Sequence, residues 1–129
     1  MKTSSAKAKG RRLQQWIAGK ISTLTGIPCG KDELIESREM GQSGVDVKLI
    51  GIAREKFPFS IEAKSQETWS VPAYIKQAKE NTMPGTYWLL VMKRNREDPV
   101  ICMDAACFMK LMKHINFPVR KPSNRLEPK

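Results

Sequence analysis

The chain has 129 residues and a formal net charge of +10 at pH 7. This length suits one compact domain, residues 1–129, that buries a hydrophobic core without disulfides or structural metals. No apolar run approaches the ~20 residues that span a bilayer, and no apolar segment follows the basic N-terminus, so we predict a soluble, intracellular (cytoplasmic) protein with no membrane partner. The three cysteines lack the spacing of a zinc site, and we predict that they are buried free thiols.

The positive charge lies mainly at the two ends of the chain. Residues 1–12 carry five Lys or Arg and no acid, and residues 116–129 carry four against one Glu, so the ends hold +8 and the middle only +2. Basic ends on a nearly neutral body predict arms that bind a polyanion by counterion release, or tails that only keep the protein soluble. We take residues 1–8 as a basic arm and residues 116–129, where Pro alternates with Arg and Lys, as a mobile tail.

A first helix of about twenty residues is predicted after Ser4 or Ser5, which can cap it, with its end near Gly26. Apolar residues recur in this segment at spacings of three and four and predict one buried stripe: Leu13, Trp16, Ile17, Ile21 and Leu24. The basic residues of the helix are expected to face solvent or a ligand: Lys7, Lys9, Arg11, Arg12 and Lys20.

Residues 44–64 contain two alternating apolar runs separated by a charged break with a glycine, which is the pattern of two strands joined by a turn. A short strand within residues 33–38 precedes them. Side chains two residues apart on a strand share a face, so Glu62 and Lys64 point to the same side. A hairpin can bring Asp46 close to Glu62 on that face. The sequence therefore predicts a cluster of two acids and one lysine.

A second helix is predicted from Ser70, which fits an N-cap, to about Asn81. One face of this helix carries Tyr74, Gln77 and Asn81. Residues 86–92 form a continuous apolar run, which indicates a strand buried on both faces beside a parallel neighbour. A strand, a helix and another buried strand make a crossover unit.

Residues 93–99 are predicted to form a charged hairpin loop, followed by a returning strand at residues 100–103. Asp104 can cap a last helix at residues 105–115. Its apolar residues are expected to face inward: Phe108, Met109, Met112 and Ile115. These elements predict an α/β fold with a mixed sheet of four or five strands flanked by helices.

Gly44-Val45-Asp46, followed on an adjacent strand by Glu62-Ala63-Lys64, resembles the active-site signature of the PD-(D/E)XK nuclease superfamily. Within it, the chain looks most like the small archaeal and phage Holliday-junction resolvases, in element order over roughly residues 7–103. The resemblance implies a restriction-endonuclease-like core, a phage-type DNA endonuclease that acts in recombination, and branched DNA as the substrate. A four-way junction needs two coordinated cuts, so a homodimer is expected.

The residue types suit phosphodiester hydrolysis, because Mg²⁺ prefers carboxylate oxygens, neutralises phosphate and activates water. Asp46 and Glu62 are predicted to hold Mg²⁺, for which Mn²⁺ can substitute. Lys64 is predicted to orient or deprotonate the water, or to stabilise charge on the phosphate. The resemblance implies the backbone carbonyl of Ala63 as a further ligand, and Gln77 as a group that holds Lys64 or the water. Backbone phosphates are expected to contact six basic residues: Lys9, Arg11, Arg12, Lys93, Arg94 and Arg96.

One position departs from the resemblance. The resolvases carry a metal-binding Glu on the first helix one turn after a Lys-Gly pair, and here Lys9-Gly10 is followed at that offset by Gln14. A glutamine coordinates a metal less strongly. The third ligand is then Glu39 or Glu36, or the site works with two acids, or its activity is weak.

Other chemistries fit the sequence less well. His114 is the only histidine, which is too few for histidine-based nucleases, and no phosphate-cradling Gly-rich loop indicates a nucleotide cofactor. The acids and the lysine could instead form a surface ion network on an exposed sheet face. Two further alternatives are a non-catalytic nucleic-acid-binding module of the same fold and a protein-interaction module with solubilising basic tails.

Overall fold

The computed structural model describes residues 3–38, 44–116, 118 and 120. Glu39 and most of the predicted tail at residues 116–129 lie outside the described residues. In chain order the elements are α1 (Thr3–Thr25), β1 (Ile35–Ser37), β2 (Val47–Leu49), α2 (Ile52–Lys56), β3 (Phe59–Ser65), α3 (Val71–Glu80), β4 (Tyr87–Lys93), β5 (Val100–Met103) and α4 (Ala105–Lys113). No helix in the described ranges is long and apolar enough to cross a membrane.

The five strands form one mixed sheet in the order β1-β2-β3-β4-β5. β3 and β4 are parallel, with Glu62 opposite Leu90 and Lys64 opposite Met92, and α3 connects them. The other neighbouring strands are antiparallel. The predicted α/β fold with a mixed sheet and a crossover helix is therefore confirmed.

The connection between β2 and β3 differs from the predicted turn. β2 and β3 do pair in antiparallel fashion, with Val47 opposite Ile61. The charged break between them is the short helix α2, which follows Gly51 at φ 58°, a conformation that costs glycine little. Ala53 of α2 is fully buried against the main core. Good helix formers beside one buried alanine thus make a helix where the sequence pattern indicated a turn.

Apolar side chains of β3 and β4 alternate between the two faces of the sheet. Ile61 and Val91 belong to the larger core cluster, together with residues of α1. Leu90 and Met92 belong to a second cluster with Tyr74 of α3. The prediction that β4 is buried on both faces is confirmed. The side chains of Glu62 and Lys64 share the face that α3 covers, because they alternate with Ile61.

The predicted stripe on α1 is correct only in part. Leu13, Ile17 and Ile21 are buried, but Trp16 is 46% exposed and Leu24 is 72% exposed. The buried residues of the predicted stripe are four positions apart, and Trp16 and Leu24 lie beside the surface that packs on the sheet. The described part of α1 extends from Thr3, so Ser4 and Ser5 lie within the helix and not before it.

The predicted buried face of α4 is wrong. Asp104 caps the helix as expected, accepting a hydrogen bond from the backbone N–H of Cys107 at 3.2 Å. The side chains that pack on the core are those of Cys107 and Leu111, four residues apart. Three of the predicted inward residues are exposed: Phe108, Met109 and Ile115. Among the cysteines, the prediction of buried thiols fails for Cys29, which is exposed.

Candidate active site

Asp46, directly before β2, makes two hydrogen bonds to the backbone of β3. Its side-chain Oδ2 accepts from the backbone N–H of Ala63 at 2.7 Å. Its own backbone N–H donates to the carbonyl of Ile61 at 2.9 Å. These bonds reach β3 on either side of Glu62, so the carboxylate of Asp46 lies beside Glu62-Ala63-Lys64 as the hairpin pattern predicts.

Glu62 is a buried acid, with only 3% of its surface exposed. Its Oε2 lies 3.5 Å from the Nζ of Lys64, which confirms the predicted pairing on one strand face. Its Oε1 accepts a hydrogen bond from the Nδ2 of Asn81 at 3.3 Å. Asn81 follows the last turn of α3, so the crossover helix directly positions this carboxylate.

Lys64 lies between an acid and an aromatic ring. Its Nζ is 5.2 Å from the ring centroid of Tyr74, a buried residue of α3. The hydroxyl of Tyr74 donates to the side-chain oxygen of Gln66, just after β3. A cation over a ring face is attracted by the ring quadrupole. Glu62 and Tyr74 together hold the ammonium in place, and the sequence assigned Tyr74 no role beyond its helix face.

Gln77 lies on the helix face that contacts the site, between Tyr74 and Asn81 at spacings of three and four. It is exposed, and within the described ranges its side chain makes no hydrogen bond to Lys64. The predicted role of Gln77 in holding Lys64 or a water stays a prediction.

Both acids are harder to ionise than ordinary carboxyls. Burial raises the pKa of Asp46, while the N–H of Ala63 and the charges of Lys64 and Arg38 oppose the shift. Burial, followed by the negative charge of Asp46, raises the pKa of Glu62. A buried and a partly buried carboxylate this close together are stabilised by a shared divalent cation. The donor set of Asp46 and Glu62 therefore fits a metal ion.

A third acidic ligand is not found in the part of the chain that the structure describes, where no three His, Cys, Asp or Glu side chains cluster as a metal site. The carboxylate of Glu36 instead pairs with Lys48 at 3.1 Å and accepts the N–H of Asp32 at 3.2 Å. The other predicted candidate, Glu39, lies outside the described residues.

Gln14, at the position that departs from the resolvase pattern, is 2% exposed. Its Oε1 has no hydrogen-bond partner among the described residues. A buried acceptor that lacks a partner costs about 1–3 kcal/mol. A carboxamide oxygen is also a ligand type that hard divalent cations accept. Gln14 therefore offers an oxygen atom at this position, but not the negative charge that a glutamate would carry.

We expect Gln14→Met to raise the free energy of unfolding of the metal-free protein by about 1–3 kcal/mol, because it replaces an unpartnered buried acceptor with an apolar side chain of similar shape. Urea unfolding in EDTA measures this change. Gln15→Met, at the exposed neighbouring position of α1, is the matched control and should change stability little. A loss of stability in Gln14→Met would show that the oxygen has a binding partner.

The raised pKa of Glu62 predicts a pH-dependent stability. The folded state keeps the proton of Glu62 to a higher pH than the unfolded chain does, so this contribution is present at low pH and is lost as pH rises above the ordinary value of 4.5 and through the raised pKa. Glu62→Gln stays neutral and should lose less stability over this range. Thermal unfolding in EDTA at a series of pH values, with exposed Glu80→Gln as control, measures the difference. Equal pH dependence in wild type and Glu62→Gln would contradict the prediction.

The six predicted phosphate-binding residues do not all lie in one place. Lys9 and Arg12 of α1 line one groove together with Lys93 at the end of β4. Arg94 instead stacks on Trp69, with its guanidinium carbon 4.6 Å from the ring centroid. The remaining two are exposed and do not line that groove: Arg11 and Arg96.

Comparison with protein-family models gives a match over most of the chain. The model of a family described as "Phage putative PDDEXK endonuclease" matches residues 5–125 of the chain. No curated protein and no solved structure matches. The matched segment includes all five strands and the cluster of Asp46, Glu62 and Lys64.

Proposed function

The chain belongs to the family of phage putative PDDEXK endonucleases, and we propose that it is a Mg²⁺-dependent DNA endonuclease that hydrolyses phosphodiester bonds. Membership confirms the predicted PD-(D/E)XK superfamily. The observation that carries the proposed activity is that an acid just before β2 lies beside an acid and a lysine of β3. Asp46 accepts the N–H of Ala63, and the adjacent Glu62 lies 3.5 Å from Lys64.

Asp46, Glu62 and the backbone carbonyl of Ala63 would hold the cation, with Mn²⁺ able to replace Mg²⁺. When bound, the cation neutralises phosphate charge and lowers the pKa of water. The support for this assignment is the burial of Glu62 and the nearby negative charge of Asp46, which together raise the pKa of Glu62. A surface ion network would not bury Glu62 to this degree.

Lys64 is the proposed catalytic amine. Glu62 and Tyr74 limit its motion, so its ammonium can be directed at a phosphate oxygen or at the attacking water. It would stabilise charge that develops on the phosphate, or orient and deprotonate the water. Gln77, exposed on the neighbouring helix face, is proposed to hold Lys64 or that water.

DNA is proposed to bind through its backbone phosphates. Lys9, Arg12 and Lys93 line one groove, and their charges are suited to phosphates. The other predicted contacts would lie around it: Arg11, Arg94 and Arg96. Such binding positions DNA without reading its sequence, and its affinity falls as salt rises.

We propose branched DNA, such as a four-way junction formed in recombination, as the substrate. This finer assignment is supported by the resemblance of the motif and element order to the Holliday-junction resolvases. Two coordinated cuts in one junction need two sites, so the active form would be a homodimer related by a twofold axis. Acting on DNA in a phage context, it would work inside the infected cell.

One assay tests the proposed function. Purified protein is incubated with linear, single-stranded, flap and four-way-junction DNA in Mg²⁺, Mn²⁺ or EDTA, and both gel shift and cleavage are scored. The proposal expects metal-dependent cleavage, strongest on branched DNA. Salt-sensitive shifts without cleavage under either metal would indicate a non-catalytic binding module. The absence of any salt-sensitive shift would indicate a protein-interaction module.

A further inference from the structure

A basic groove lies where β3 and β4 end. It holds about 360 Å³ and lies between α1 and the loop that joins β4 to β5. Three cations line it, together with an amide and one acid: Lys9, Arg12, Lys93, Asn95 and Asp98. The lining is therefore positive, with hydrogen-bonding groups on the loop side.

Trp16 lines the same groove. It lies one helical turn after Arg12, and 46% of it is exposed although the flanking Leu13 and Ile17 are buried. The Nζ of Lys20, one turn further along α1, is 5.6 Å from the centroid of its ring. Lys20 therefore covers part of one ring face, and the exposed remainder of the indole lies among cations.

Cations and an exposed aromatic ring select different parts of a nucleic acid. Lysine and arginine bind phosphates whether the DNA is single- or double-stranded. An indole ring stacks on the face of a base, and in an intact duplex those faces are covered by neighbouring bases. The volume of the groove lies in the range of small-ligand sites, about 300–1,000 Å³, and it suits one nucleotide better than a helix.

The groove and the candidate active site lie near the same end of β3, but on opposite faces of the sheet, because Ser65 alternates with Lys64. Ser65, which lines it, directly follows Lys64 on β3. Lys93 lies opposite Ser65 in the parallel register, and the N–H of Gln66 donates to the carbonyl of Lys93 at 3.0 Å. A single strand that passes around this end of β3 could reach both the groove and the two acids.

We propose that this groove holds an unpaired nucleotide of the single-stranded part of a DNA substrate, with its base stacked on Trp16. Lys9, Arg12 and Lys93 hold the phosphates on either side of it. This inference rests on the proposed endonuclease function and narrows its substrate. DNA with an unpaired segment at the branch, such as a flap, a fork or an opened junction, is preferred to intact duplex.

Binding measured without cleavage tests this inference. Fluorescence anisotropy of the full chain in EDTA is followed with labelled oligothymidylate, a duplex of the same length, and oligouridylate. Trp16→Ala should weaken binding of oligothymidylate on the order of tenfold, the scale of one lost base stack, and leave duplex binding unchanged. Trp16→Phe should restore most of the affinity. Leu24→Ala removes an exposed apolar residue of the same helix that does not line this groove, and it should have no effect.

Salt dependence separates stacking from phosphate binding. Trp16→Ala should keep the wild-type slope of log affinity against log salt, whereas Lys9→Ala should reduce the slope by about 0.7 for single strands. Equal losses for single strand and duplex in Trp16→Ala, or no loss at all, would overturn the inference. Stronger dependence of oligouridylate binding on Trp16 would overturn the choice of DNA.

The inference and the proposed function can fail separately. Selective loss of single-strand binding in Trp16→Ala by a protein that cuts no DNA would refute the endonuclease proposal alone. Metal-dependent cutting with unchanged single-strand binding in Trp16→Ala would refute the nucleotide groove alone. Circular dichroism of Trp16→Ala in the same buffer checks that the variant is folded.

Discussion

Asp46→Asn is expected to reduce metal-dependent cleavage on the order of 10³-fold, because it removes a carboxylate that would hold the cation, and a catalytic cation contributes several kcal/mol to transition-state stabilisation. The asparagine oxygen can still accept the N–H of Ala63, so the contact of residue 46 with β3 is kept. DNA binding should be nearly unchanged, since the groove cations are untouched. Initial cleavage rates in Mg²⁺ and gel shifts in EDTA measure the two effects.

The matched control for this variant is Asp32→Asn. Asp32 is exposed and has φ 64°, a conformation that asparagine also tolerates. The substitution makes the same change of charge at a position outside the motif and should leave cleavage unchanged. If Asp46→Asn cleaved at the rate of Asp32→Asn, Asp46 would not be a metal ligand.

Lys64→Ala is expected to reduce the cleavage rate by about 10²- to 10⁴-fold, the range for loss of a positioned acid–base group. Binding of DNA should persist, because Lys64 is partly buried between Glu62 and Tyr74 and does not line the basic groove. Rates under single-turnover conditions isolate the chemical step. Lys76→Ala, an exposed lysine of α3, is the control and should cleave normally.

Lys64→Arg distinguishes the two proposed roles of the amine. A guanidinium keeps the positive charge but does not give up its proton at neutral pH. Partial activity in Lys64→Arg would indicate stabilisation of phosphate charge, whereas activity as low as in Lys64→Ala would indicate a proton-transfer role. Normal cleavage by Lys64→Ala itself would remove Lys64 from the catalytic site.

The parts of the fold that the sequence predicted are those with a strong local pattern. The alternation in β3 placed Glu62 and Lys64 on one face because the side-chain period of a strand is two. The uniform apolar run of β4 indicated burial on both faces, since strands inside parallel sheets are covered by helices. The contact of Asp46 with β3 followed from pairing of adjacent strands.

The parts that the sequence did not predict depend on contacts between distant residues. The short helix α2 exists because Ala53 packs on the core, which no local pattern reveals. Periodicity predicted that α4 has apolar residues, but it did not predict which of them face the core. In the structure the residues that face the core are Cys107 and Leu111. The exposure of Trp16 likewise depends on how narrowly α1 contacts the sheet.

Within the site, the missed residues are those that position others. Tyr74 and Asn81 reach Lys64 and Glu62 from the crossover helix. Their spacing with Gln77 on one helix face was the available signal, but an aromatic residue on an amphipathic helix usually indicates core packing. Gln14 was recognised as a departure from the resolvase pattern, whereas its burial and unpartnered oxygen required the tertiary structure.

The most direct test of the nuclease assignment is a paired cleavage measurement. Wild type and Asp46→Asn are incubated with the same set of labelled single-stranded, flap and four-way-junction DNAs in Mg²⁺ or Mn²⁺ and in EDTA. We predict cleavage by wild type only when a divalent metal is present, and none above background by Asp46→Asn under conditions in which both proteins bind the DNA. Equal cleavage by the two proteins, or no cleavage of any DNA with either metal, would contradict a metal site built on Asp46 and Glu62.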